Sequence, residues 1–97
     1  MGHILDNESV KLLVKAFMTL ENEEECKAFL EDIMTTKEIL DISQRFTVAK
    51  MLSEQAVYNK IAEETGASTA TISRVNRSYS YGTGAYKIAL ERIEKKN

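Results

Sequence analysis

Apolar residues recur three and four positions apart through most of the chain, the spacing that lines one face of an α-helix. Over residues 8–20 the face is Val10, Leu13, Phe17 and Leu20, with Asp6 or Asn7 placed to cap its start. The next set is Cys26, Phe29, Leu30 and Ile33. Asn22 and Glu25 open it at capping-box spacing, and the acidic turn Glu23-Glu24-Glu25 suits the positive end of a helix dipole. Thr35 and Glu38 repeat that spacing ahead of a helix over about 36–54, whose stripe is Ile39, Ile42, Phe46, Ala49 and Leu52. Residues 57–77 read as two helices joined by a glycine turn. A loop over 78–82 then leads to a last helix over about 84–95, capped by Thr83 and ended favourably by Lys95 and Lys96. There is no proline, no alternating strand pattern of useful length and no repeat. The pattern predicts an all-α chain of about six helices, with 1–97 as a single domain.

Length changes this picture in one respect. A chain of 97 residues buries only about 60–65 % of its unfolded surface, so a monomer has a thin core. The first three helices carry wide apolar faces for so small a protein. A dimer of interleaved helices would cover them. No apolar run reaches the length of a membrane span, and no signal-peptide core opens the chain. One cysteine, Cys26, cannot form an internal disulfide, which together with these points suggests a reducing, cytoplasmic setting.

Charge adds an asymmetry beneath the net −2. Residues 1–41 hold 4 Lys/Arg against 10 Asp/Glu, whereas residues 42–97 hold 9 against 5. A basic second half suits a polyanion, although halves of a small protein often differ this much by chance.

The segment 57–77 carries the chemistry. Ile61 faces inward, and Ala62 is small where a second helix crosses closely. Gly66 stands where the chain must turn left-handed to stop the first helix. Ala67 covers the turn, Ser68 caps the second helix, and Ile72 and Val75 anchor it. Thr69, Ala70, Ser73, Arg74 and Arg77 remain outward. Hydroxyls and methyls at the start of such a helix meet base edges in the major groove, while arginines and helix-start amides, Ser68 included, hold phosphates. Asn59 and Lys60 lie on the first helix, which crosses the DNA backbone. A plain helical corner with a glycine stop would be the ordinary alternative. Agreement at Ile61, Ala62, Gly66, Ile72 and Val75 favours a helix-turn-helix that binds double-stranded DNA. Two positions fit less well: Val57 is a poor cap, so that the first turn either frays or is assisted by Gln55, and Thr65 is polar where an apolar residue is usual.

The run Gly66-Ala67-Ser68-Thr69-Ala70-Thr71-Ile72-Ser73-Arg74, preceded by Ile61 and Glu64, closely resembles the tryptophan repressor (TrpR) family. Met34-Thr35-Thr36-Lys37-Glu38 resembles the start of that family's third helix. The stretch from Thr71 to Tyr79 with Tyr81-Gly82 is similar to its YerC/YecD branch from Gram-positive bacteria. The likeness covers residues 8–95, with its specific part at 61–82. It implies a TrpR-like intertwined homodimer that reads a palindromic operator, with half-sites about 34–36 Å apart. It implies contacts to bases and phosphates from Asn59, Thr69, Ala70 and Ser73. It also implies a small-molecule corepressor held between two arginines. Arg74 matches one of them; Arg45, or Gln44 if the alignment carries a gap, matches the other, and Thr35 lies near the ligand. Tryptophan-binding members place a glycine after the recognition-helix arginine, where the indole packs. Here that position is Val75, so the expectation is a site that is self-filled or takes something smaller than tryptophan.

Other features carry less. Cys26 reads as a small core residue, and no second cysteine or histidine joins it to hold a metal. Met18, Met34 and Met51 read as core filler. Tyr58, Tyr79, Tyr81 and Tyr86 suit either phosphate contacts or capping of the core. Gly82-Thr83-Gly84 is too short for a nucleotide loop. No nucleophile–base pair or paired carboxylates emerge, which argues against an enzyme. The sequence thus predicts a DNA-binding transcriptional regulator, with a helical protein-interaction module that has lost DNA binding as the alternative.

Overall fold

The computed structural model describes residues 2–96, and every regular element among them is helical. The elements are α1 (Gly2–Leu5), α2 (Glu8–Met18), α3 (Glu23–Ile33), α4 (Thr36–Ser53), α5 (Tyr58–Thr65), α6 (Thr69–Tyr81) and α7 (Ala85–Lys96). The six predicted helices are α2–α7, and α1 is one added turn. The fold is all-α. The chain divides into two compact units, residues 1–39 and 40–97.

In the first unit the caps form much as the sequence dictates. Asn7, not Asp6, caps α2: its Oδ1 accepts from the Ser9 and Val10 amides at 2.8 and 3.4 Å. Asn22 Oδ1 accepts from the Glu25 amide at 2.9 Å, but the Glu25 carboxylate reaches the Glu21 amide rather than that of Asn22. The Thr35–Glu38 box closes reciprocally, at 3.1 and 2.9 Å. The Phe17 and Phe29 rings meet edge to face, 5.1 Å apart. Among residues 4–39 none is buried. Cys26, expected inside, is exposed, as are Leu13 and Ile33. Two paired helices can cover only one stripe of each other, and everything beyond that stripe stays open.

The second unit holds the buried core. Val48 and Ala49 of α4, Ile61 of α5, Ala67 of the turn, and Ile72 and Val75 of α6 form it. Met51, Leu52, Ala56, Tyr58, Ala62, Tyr79 and Tyr86 pack around them. The predicted α4 stripe needs correction here, because Val48 is buried and Ile42 is exposed. Neighbours on a helix point about 100° apart, so burying both Val48 and Ala49 requires packing on two sides of α4.

α4 ends in a Schellman motif. The Ala56 amide donates to the Met51 carbonyl and the Gln55 amide to that of Leu52, each at 3.0 Å. Gln55 occupies the left-handed position, with φ 63°. It therefore ends α4 rather than capping α5, and Val57 caps α5 without any side-chain bond. A side chain in that conformation costs roughly 1–2 kcal/mol, part of which glycine returns as chain entropy. Gln55→Gly is expected to stabilise the protein by about 0.5–1 kcal/mol, read as a higher urea midpoint at unchanged slope.

α6 runs to Tyr81, past the expected end at residue 77, so most of the anticipated 78–82 loop is helical. No helix breaker intervenes, Tyr79 packs on the core, and the Ser80 hydroxyl donates to Asn76 Oδ1 at 3.3 Å. Gly82 stops the helix. Its amide donates to the Ser78 carbonyl, and a Cβ at Gly82 would collide with that carbonyl oxygen. The Thr83 hydroxyl then accepts from the Ala85 amide at the start of α7.

Candidate nucleic-acid interface

α5 and α6 pack through Ile61 and Ile72, both fully buried. Gly66 takes φ 74° and its amide closes α5 on the Ala62 carbonyl. Ser68 caps α6 by accepting from the Thr71 amide at 3.1 Å. Thr65, the polar misfit in the motif, has a local task. Its hydroxyl donates to the Ile61 carbonyl and accepts from the Ala67 amide, at 2.7 and 3.1 Å. Its own carbonyl accepts from Gln44 Nε2 at 3.0 Å, tying α4 to the turn. Asn76 Nδ2 donates to the Tyr58 hydroxyl at 3.0 Å, so α5 and α6 are also pinned near the start of α5.

This framework leaves Thr69, Ala70, Ser73, Arg74 and Arg77 exposed on α6, and Asn59 and Lys60 exposed on α5. Ala70, Ser73, Arg74 and Arg77 line one shallow groove of about 250 Å³. The first amides of α6 have no carbonyl partner within the helix and lie beside Ser68 and Thr69. Tyr81 is 87 % exposed and continues the stripe 70, 73/74, 77. A helix that ends at residue 77, as the sequence pattern predicts, would place it in a loop.

The cations divide sharply. Lys50 pairs with Glu54 at 2.6 Å, Lys60 with Glu64 at 3.8 Å and Lys95 with Glu91 at 3.6 Å. Arg45, Arg74 and Arg77 form no ion pair among the described residues. Exposed pairs such as Lys60–Glu64 are worth about 0.3–0.5 kcal/mol, so a phosphate can displace the glutamate.

A separate cavity of about 210 Å³ lies against the other flank of α6, lined by Arg45, Thr71, Arg74, Val75, Ser78 and Tyr86. It brings together Arg45, Arg74 and Val75 of the expected ligand set. Gln44 lines a different hollow with Thr65, so Arg45 is the α4 residue at the cavity. Thr35 belongs to the first unit, where its hydroxyl caps α4. Thr71 and Ser78 are additions to the expected set, although they stand three before and four after Arg74, on its own helix face. Tyr86 comes from α7, which sequence spacing does not reach, and its ring lies 6.0 Å from that of Phe46.

Comparison with known proteins agrees with this geometry. The model of the Trp repressor protein family matches residues 8–94. The uncharacterized protein YerC of Bacillus subtilis (strain 168) is 45 % identical over 91 residues, which is 94 % of this chain and 88 % of YerC. The crystal structure of a TrpR-like protein from Eubacterium eligens superposes with a TM-score of 0.90 at 50 % identity, covering 95 % of each chain. A candidate Trp repressor from Staphylococcus aureus gives 0.88 at 46 % identity, covering 95 % of this chain and 92 % of that one. The chain belongs to the Trp repressor family.

Proposed function

We propose that the protein is a transcriptional repressor that binds double-stranded DNA sequence-specifically as a homodimer in the cytoplasm. Membership of the family supports a DNA-binding regulator rather than an enzyme. The observation that carries the finer reading is the exposed face of α6: small polar and methyl groups at its start, then Arg74 and Arg77, which have no carboxylate partner among the described residues. Thr69, Ala70 and Ser73 meet base edges, while Ser68, Arg74, Arg77, Asn59 and Lys60 hold the backbone. The dimer reading rests on side chains such as Leu12 and Met18, which are 69 % and 80 % exposed in a single chain. Among the described residues no helix is long and apolar enough to cross a membrane.

The cavity beside Arg45 and Arg74 is the place for a regulatory ligand. Val75 fills space that an indole would need, which disfavours tryptophan. The alternative, an interaction module without DNA binding, draws on the net charge of −2 and the open apolar faces.

Selection of duplexes from a random pool tests the reading. The expected product is a palindrome with half-sites about one helical turn apart. Thr69→Ala or Ser73→Ala should change the preferred bases by about 1–3 kcal/mol at single positions. A pool that shows no enrichment, with or without added amino acids, favours the interaction module.

A further inference from the structure

Three of the four tyrosines are engaged within the chain. The Tyr58 hydroxyl accepts from Asn76 Nδ2 at 3.0 Å. Tyr79 packs on the core, with Lys87 Nζ 5.1 Å above its ring. Tyr86 packs on the core and lies against Phe46. Tyr81 differs from all three: it is 87 % exposed, and its side chain makes no hydrogen bond among the described residues. We propose that Tyr81 is a further DNA contact, its ring set against a deoxyribose and its hydroxyl donating to a phosphate that flanks the bases read by the start of α6. This rests on the reading of α5 and α6 as a DNA-binding pair, and adds to that pair a contact that carries no charge.

Helix geometry puts Tyr81 in line with the recognition face. At about 100° per residue, Tyr81 stands about 20° around α6 from Ala70, between Arg74 at about 40° and Arg77 at about −20°. Ala70, Ser73, Arg74 and Arg77 line one groove. At about 1.5 Å per residue, Tyr81 lies roughly 16 Å along the axis from Ala70. The major groove is about 12 Å wide, so a helix whose start meets bases carries a residue that far along to the groove wall, where sugars and phosphates stand. The backbone there is fixed. The Gly82 amide donates to the Ser78 carbonyl at 2.9 Å, which closes the last turn around Tyr81. A tyrosine also has few side-chain torsions to order on binding for the area that it covers.

An uncharged contact leaves a distinct signature. A phenol that donates to a phosphate releases no counterion, so it strengthens binding without steepening the salt dependence, in contrast to Arg77.

The test uses the full chain and a duplex taken from the selected pool, with Kd measured over a range of salt. Tyr81→Phe, which removes only the hydroxyl, should raise the Kd about threefold, and Tyr81→Ala about tenfold, both at the parent's salt slope. Melting of the free protein should stay where it is, because the ring packs on no core residue. In protein labelled with 3-fluorotyrosine, the resonance that Tyr81→Phe deletes should shift on adding duplex and saturate with the binding curve. Kd values equal to the parent's, or a resonance that duplex leaves in place, overturn the inference. A shallower salt slope in either variant also overturns it, because Tyr81 would then act by placing Arg77. So does a lower mass of Tyr81→Ala in solution, which would assign the ring to a contact between copies of the chain. A parent that binds no duplex removes the DNA reading and the inference together, whereas a parent that binds no better than the variants removes the inference alone.

Discussion

Replacing Ile72 with alanine is expected to lower stability by about 2–5 kcal/mol, a large part of the roughly 5–15 kcal/mol that keeps such a domain folded. Ile72 is fully buried, one of six buried residues that form the core among the described residues. Through it α6 rests on α5 and α4. Removing its outer carbons forfeits transfer energy, and the cavity left behind adds to the cost because the surrounding helices cannot close fully. A core this small has few other side chains to share the burden. Helical circular dichroism and a urea melt check this, and a midpoint within error of the parent would contradict the core assignment. DNA binding should fall with the folded fraction, since Ile72 presents no atom to the groove.

The helix-turn-helix was legible because each of its rules is local. Gly66, Ser68, Ile61 and Ile72 carry signals within a few residues of one another, and each took its expected conformation or burial. The caps at Asn7 and Thr35 were legible for the same reason. The end of α6 was not, because what extends it is tertiary: Tyr79 packs on the core, and only Gly82 forbids another turn. Val48 escapes a reading by periodicity because a single stripe cannot describe a helix packed on two sides. Cys26 reads as inward from its spacing to Phe29, Leu30 and Ile33, yet it is exposed, because contact between two helices covers only one stripe of α3. At the cavity, Arg45, Arg74 and Val75 were marked by family resemblance. Tyr86 depends on how α7 folds back, which no local pattern states.

Arg77→Ala is expected to have the largest effect on DNA affinity among variants that leave the fold intact. Arg77 is exposed on α6 beside Ser73 and Arg74, has no ion-pair partner among the described residues, and is not one of the buried core residues. Stability should change by less than about 0.5 kcal/mol. An arginine that neutralises a phosphate releases a counterion on binding. Without it, the plot of log K against log salt should become shallower by about 0.9 per arginine. Because such an arginine reads charge rather than sequence, affinity should fall uniformly across duplexes. A change in base preference without a change in slope would move Arg77 from the phosphate to a base.

The most direct test of the central claim, that α5 and α6 bind duplex DNA through an arginine-bearing face, is the salt dependence of duplex binding by the unmodified protein. Log K should fall linearly with log salt, with a slope of about −4 or steeper for a pair of helix-turn-helix units, and the line for Arg77→Ala should be shallower. No binding to duplex at low salt, or binding that salt leaves unchanged, would contradict it.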